Sequence, residues 1–163
     1  MANQLAWLDR DLAAARKRGV GNIFIAGHEP VLPVGGHVGD AMWWRGLDDA
    51  TQPSGDVLTM RTKFLAIADR YRVTAMMFGH EHVYARLEID KTADKQLTQP
   101  IVQFVSGGAG APFYPQDMSA PWANAVKKFA PVNHYLMFTV SRSGVTFEAI
   151  DLDGRIFDSG VIR

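Results

Sequence analysis

Apolar positions along the chain follow two different periods. Leu5, Leu8, Leu12 and Ala15 recur at helical spacing, with Asp9, Arg10, Lys17 and Arg18 on the opposite side. That pattern predicts an amphipathic helix, with Asn3 as candidate N-cap and Gly19 and Gly21 as its stop. Ile23 to Ala26 is too short and too β-branched for a helix and reads as a buried strand ending at Gly27-His28. From Glu29 to Gly55 the chain is rich in Gly and Pro and lacks periodicity, while the pair Trp43-Trp44 favours an ordered loop. Asp56 is the candidate cap of a second helix whose apolar face is Met60, Phe64, Ile67, Ala68 and Tyr71. Val73 to Phe78 is a second strand, ending at Gly79-His80.

The texture then changes. Val83 to Ile89 and Ile101 to Val105 read as strands, and residues 111–133 as loop with a short helix around Trp122 to Phe129. Tyr135 to Val140, Val145 to Leu152 and Arg155 to Val161 predict a three-strand meander, with turns at Ser141 to Gly144 and at Asp153-Gly154. The fold class is therefore α/β in the front half with an antiparallel back half, α+β overall, in one domain spanning residues 1–163. Two strands joined through a helix are most simply parallel neighbours with a right-handed crossover. Their C-terminal ends share one sheet edge, where open α/β sheets bind ligands, which sets His28 beside His80.

Composition narrows the chemistry. With no cysteine, the chain has no disulfide, thiolate metal site or cysteine nucleophile. Seventeen Lys and Arg balance 17 Asp and Glu, so neither nucleic acid nor an anionic membrane is the expected partner. No apolar run approaches the ~20 residues of a membrane-spanning helix. The N-terminus lacks the basic-then-apolar order of a signal peptide, and the compartment is not readable.

His28 in GHEP, and His80 with His82 in GHEH, carry the chemistry. Neutral imidazole is a common ligand for zinc, iron and manganese, and a preceding glycine leaves it room. At a strand-to-loop bend His80 and His82 can aim at adjacent sites, the ~3.5–4 Å separation that paired metals take in hydrolases. The alternative for each histidine alone is a hydrogen-bonded surface or core residue.

GHEP after a short strand, then helix, strand and GHEHVYAR, resembles the C-terminal half of the calcineurin-like metallophosphoesterases, in their purple acid phosphatase-like branch. QLAWLDRDLAAA, MRTKFLAIADRYRV and QFVSGGAG resemble that branch too, so the likeness runs from Gln4 to Gly110. The resemblance implies layered β-sheets flanked by helices and hydrolysis of a small phosphate ester at a binuclear centre of iron, zinc or manganese ions. His28 and His80 would ligate one metal and His82 the other. His37 sits about where that branch places a histidine that helps bind or protonate the ester, and by the same resemblance would be catalytic, a carry-over supported by loop position alone. A solvated loop histidine is the alternative for His37.

The departures from that family matter equally. Its DxH, GDxxD and GNH[DE] motifs are absent, and Asn133-His134 carries Val132 and Tyr135 where the last motif has Gly and an acid. Asn133-His134 is therefore read as structural. The expected partner, beyond the ester, is a missing N-terminal half or a second copy joined through an open sheet edge, although a copy lacks the same motifs. Three explanations stand: part of a longer enzyme, a chain working beside a second polypeptide, or a short relative without activity. Glu29 and Glu81 are candidate acceptors for a ligand imidazole N–H or solvated turn carboxylates. Tyr84 and Arg86 meet phosphate or pack, and Gly107-Gly108 allows close backbone approach or loop flexibility.

Overall fold

Two helices, a five-stranded sheet and a three-stranded sheet stack as three layers in a computed structural model that describes residues 2–38 and 55–162. Trp43 and Trp44 lie outside the described residues. The helices are α1 (Ala2–Lys17) and α2 (Gly55–Arg70). The larger sheet holds β1 (Phe24–Ala26), β2 (Ala75–Phe78), β3 (Tyr84–Ile89), β4 (Ile101–Ser106) and β5 (Val126–Ala130), in the order β1-β2-β4-β3-β5. The smaller is the meander β6 (His134–Ser141), β7 (Gly144–Asp151) and β8 (Ile156–Val161).

Both helices stop by the same device. At the end of α1, Val20 N–H donates to Ala15 O and Gly19 N–H to Arg16 O, with Gly19 at φ 79°. At the end of α2, Val73 N–H reaches Ala68 O and Arg72 N–H reaches Asp69 O, with Arg72 in the left-handed position at φ 47°. The first helix begins at Ala2, so Asn3 lies inside it rather than capping it.

As expected, β1 and β2 are parallel, with Phe24 opposite Ala75 and Ala26 opposite Met77. β4 continues the parallel run beside β2, and β3 returns antiparallel to it, so the sheet is mixed. Period-two alternation sorts side chains between two cores. Met76, Ala85, Leu87, Ile89, Ile101 and Val105 face Leu8, Leu12, Leu65 and Ala68 of the helices. Ala75, Tyr84 and Phe104 face Phe147 and Ala149 of the meander.

Two expectations change. The short helix around Trp122 to Phe129 is only a 3-10 turn at Ala123–Ala125, followed by β5 as the antiparallel neighbour of β3. The unpaired edge of β3 satisfies the amides of this segment, a non-local pairing that local propensity does not encode. Tyr84 and Arg86 pack rather than face an ester. Tyr84 Oη donates to Asp158 Oδ2 at 2.7 Å and Arg86 Nε to the same oxygen at 2.8 Å, which ties the two sheets together. Burial and the Asp158 carboxylate push the Tyr84 hydroxyl well above its ordinary pKa, so it stays a proton donor.

No helix among the described residues is long and apolar enough to cross a membrane. Asp158→Ala leaves the Tyr84 hydroxyl and the Arg86 guanidinium without their acceptor between the sheets. It is expected to lower unfolding stability by about 3 kcal/mol, read from urea melts, without altering the helix content seen by circular dichroism.

Candidate metal centre

The parallel β1–β2 pair carries two histidines to one edge. Gly27 N–H bonds Met77 O, and Gly79 N–H bonds His28 O at 3.0 Å, so the ladder continues one step beyond the strands into both Gly-His turns. His28 Nε2 then faces His80 Nδ1 at 3.0 Å, with the ring centroids 4.8 Å apart. Two nitrogens each about 2.1 Å from one ion, at right angles, would lie about 3 Å apart, so this pair suits adjacent ligands of a single metal. Without an ion, one ring donates a proton to the other.

His80 reaches that position through a tight turn. Its φ is 62°, and Glu81 N–H bonds Gly79 O at 2.7 Å, closing a three-residue γ-turn with His80 at its centre. Left-handed backbone at a non-glycine residue costs energy and persists where surrounding contacts impose it. Burial, followed by the neighbouring His37 and His28, holds the His80 pKa below its ordinary 6.5, which favours the neutral, ligating ring.

Val83 N–H bonds Glu81 O at 2.8 Å in the next tight turn, which sends His82 elsewhere. His82 Nδ1 lies 3.0 Å from Pro112 O. A carbonyl only accepts, so Nδ1 donates and Nε2 is the nitrogen left to ligate, the arrangement found behind ligating histidines. His37 sits on the loop after His28, its ring 4.1 Å from that of His80 by centroid. Its Nε2 is 3.2 Å from Tyr114 Oη, and Tyr114 also stacks on His82 at 4.9 Å. All four sequence-singled histidines thus lie along one edge, with Tyr114 between His37 and His82.

Glu81 is buried beneath this edge. Its side chain has no exposed surface; Oε2 accepts from Val34 N–H and Oε1 from Gly35 N–H, each at 2.6 Å, while His37 N–H approaches Oε1 at 3.4 Å. Its side chain is therefore neither a solvated turn carboxylate nor the partner of an imidazole, whereas Glu29 is exposed. Buried Gln103 clamps Leu32 from both sides, accepting from its N–H at 3.1 Å and donating to its carbonyl at 2.7 Å. Trp122 Nε1 donates to Pro33 O at 2.6 Å. Within the described part of the loop, up to Val38, the indole that holds the backbone is Trp122.

Sequence reading passed over Tyr114, Gln103 and Trp122. A lone Gln amid the apolar run of β4 was the available signal for the second; Tyr114 had only its place between prolines after SGGAG. Asn133-His134 proves structural. His134 Nδ1 donates to Val132 O at 2.8 Å, its Nε2 meets Ser106 Oγ at 2.9 Å, and Asn133 Oδ1 accepts from Gly110 N–H. Gly107-Gly108 allows close approach: a Cβ at Gly107 would lie 2.2 Å from Glu81 O, and one at Gly108 2.3 Å from Val132 O.

The fit to a binuclear centre is partial. His28 and His80 suit one ion, and His82 Nε2 is free to meet another. Among the described residues, however, no group of three or more His, Asp or Glu could hold a metal. Three neutral imidazoles supply no negative charge to offset two adjacent cations. A hollow of about 650 Å³ lies next to His28, lined by Leu5, Trp7, Leu8, Ile25, Phe64 and Phe78 among others, beside β1, which among the described residues pairs with β2 alone.

Comparison with known proteins defines the class of fold. The chain shares its fold with a purple acid phosphatase, PPD1, from yellow lupin (Lupinus luteus) seeds, at a TM-score of 0.69 and 16% identity, over 97% of this chain and 28% of that one. It also matches GAP50, the anchor in the inner membrane complex of Plasmodium, at a TM-score of 0.61 and 13% identity, over 96% of this chain and 41% of that one. The fold is thus purple acid phosphatase-like, and the chain spans well under half of either neighbour. No protein-family model matches, and neither does any curated protein.

Two outcomes test this geometry. Gly107→Ala is expected to cost about 2 kcal/mol or more because its Cβ meets Glu81 backbone, whereas Gly79→Ala, with open space around it, is tolerated. Burial lowers the His134 pKa from its ordinary 6.5, outweighing the Val132 bond that raises it. The unfolded chain then binds more protons just below pH 6.5, so this ring's contribution is complete above that pH and is lost as pH falls through the lowered folded value. The urea midpoint of wild type should therefore fall between pH 7 and pH 5 more steeply than that of His134→Gln.

Proposed function

We propose that the chain is the histidine-bearing C-terminal part of a metal-dependent phosphoesterase acting on small phosphomonoesters at a centre of two iron, zinc or manganese ions. The observation that carries this reading is the meeting of His28 Nε2 and His80 Nδ1 at 3.0 Å on a purple acid phosphatase-like fold. His28 and His80 hold one ion and His82, through Nε2, the other. When bound, the metals act as Lewis acid, activate water and orient the ester. His37 acts beside this centre as the histidine that binds the ester or protonates its departing oxygen, exchanging its Nε2 contact with Tyr114 Oη for one with the ester. Carboxylates to offset the charge of two ions would come from outside the described residues, from further chain or a second polypeptide. The edge of β1 that no described strand pairs, with the apolar hollow beside His28, is where that part seats, and association of copies through the same edge would leave the ligand set incomplete.

A second reading is a non-catalytic domain on the same fold. It is favoured by the missing third ligand among the described residues and by GAP50, a structural neighbour described as an anchor.

The two readings separate on metal. Purified protein is expected to bind zinc or manganese, and His80→Ala to weaken that binding by at least 10–100-fold. Turnover of an aryl phosphate with added metal supports a complete centre, and binding without turnover an incomplete one. Wild-type protein that takes up no metal leaves only the non-catalytic reading.

A further inference from the structure

Glu81 lies between the two histidines of GHEH, yet its side chain points away from both of their rings into the protein. A carboxylate with no exposed surface is tolerated only where its oxygens are hydrogen-bonded. Here the partners are the amides of Val34, Gly35 and His37, contributed by the loop that follows His28. The same residue's backbone N–H closes the γ-turn that keeps His80 at φ 62°, and its carbonyl packs against Gly107 so closely that no Cβ fits there. One residue therefore governs both sides of the cluster. Its main chain presents His80, and its side chain gathers the loop that presents His37 at 4.1 Å from the His80 ring.

We propose that Glu81 is the positioning residue of the histidine cluster, holding the His37 ring against His80 and, through its turn, His80 against His28. The consequence for metal affinity rests on His28 and His80 being ligands; the placement of His37 does not. Gln103 clamps the same loop at Leu32 independently, so a local effect of Glu81 is separable from loss of the fold.

The test uses the whole chain with Glu81→Gln, which keeps the volume but turns an NH2 toward an amide N–H. Zinc alone is titrated by calorimetry, the contact between the His37 and His80 rings is read as a nuclear Overhauser effect, and amide exchange is followed at Val34, Gly35 and Leu32. The expected result is loss of the ring contact, faster exchange at Val34 and Gly35 with Leu32 still protected, and weaker zinc binding as the turn loosens with its side chain. Unchanged zinc affinity or a retained ring contact overturns the proposal and leaves the ligand reading standing. If wild type binds no zinc, the ligand reading falls and the ring contact alone decides: its loss in the variant supports the positioning role and its survival overturns it. Should Glu81→Gln expose every amide, Glu81→Asp, which keeps the charge and withdraws the oxygens by one methylene, is read on the same measurements.

Discussion

A carboxylate buried beneath a strand-end turn must find hydrogen-bond donors, and in this protein it finds them in a loop 44 to 47 residues earlier in the chain. Left unbonded, such a group would cost several kcal/mol, a large part of the stability of a domain this size. That penalty binds Val34 to His37, in the described part of the Gly- and Pro-rich segment, to the turn beneath the sheet edge. Gln103 and Trp122 fasten the same loop at neighbouring carbonyls and amides, so the backbone groups around Leu32 to His37 are largely paired within the protein. The histidine edge inherits its geometry from this fastening.

The three layers explain why the edge lies where it does. Parallel β1 and β2 end level, and the hydrogen bond from Gly79 to His28 O extends the ladder into the turns. The helices cover one face of the sheet and the meander the other, leaving the strand ends as the open side. Tyr84, Arg86 and Asp158 lock the meander to the sheet at some depth, so these polar groups belong to the architecture rather than the chemistry. Two structural neighbours, a phosphatase and an anchor, share this arrangement, and a fold so shared does not choose between their roles. The choice belongs to the nitrogens and to whatever negative charge meets them.

Much of the fold was legible from spacing. Both helices and the β6–β8 meander follow from patterns contained within single segments or short connections, and the parallel β1–β2 pair from the helix between its strands. β5 was not legible, because Val126 to Ala130 becomes a strand only through the free edge of β3, some 40 residues earlier in the chain by register. Of the site, the histidines were legible as residue types at strand ends. Tyr114 was not, since its place between His37 and His82 depends on Gly36 lacking the Cβ that would strike its ring at 2.6 Å.

The amino-acid sequence alone determined the periodic elements, the stop of the first helix at Gly19 and the absence of thiol chemistry, which depend on residue types and on neighbours within a turn or a strand. The shared edge of the two Gly-His turns followed from the right-handed crossover rule rather than from local neighbours. Tertiary structure alone decided which way Glu81 points, that Tyr84 and Arg86 serve the inter-sheet seam, that His134 is held by Ser106 and Val132, and that His28 and His80 meet at 3.0 Å. The reason is physical: a buried polar group is defined by its partners, and those partners arrive from remote parts of the chain only when the layers close.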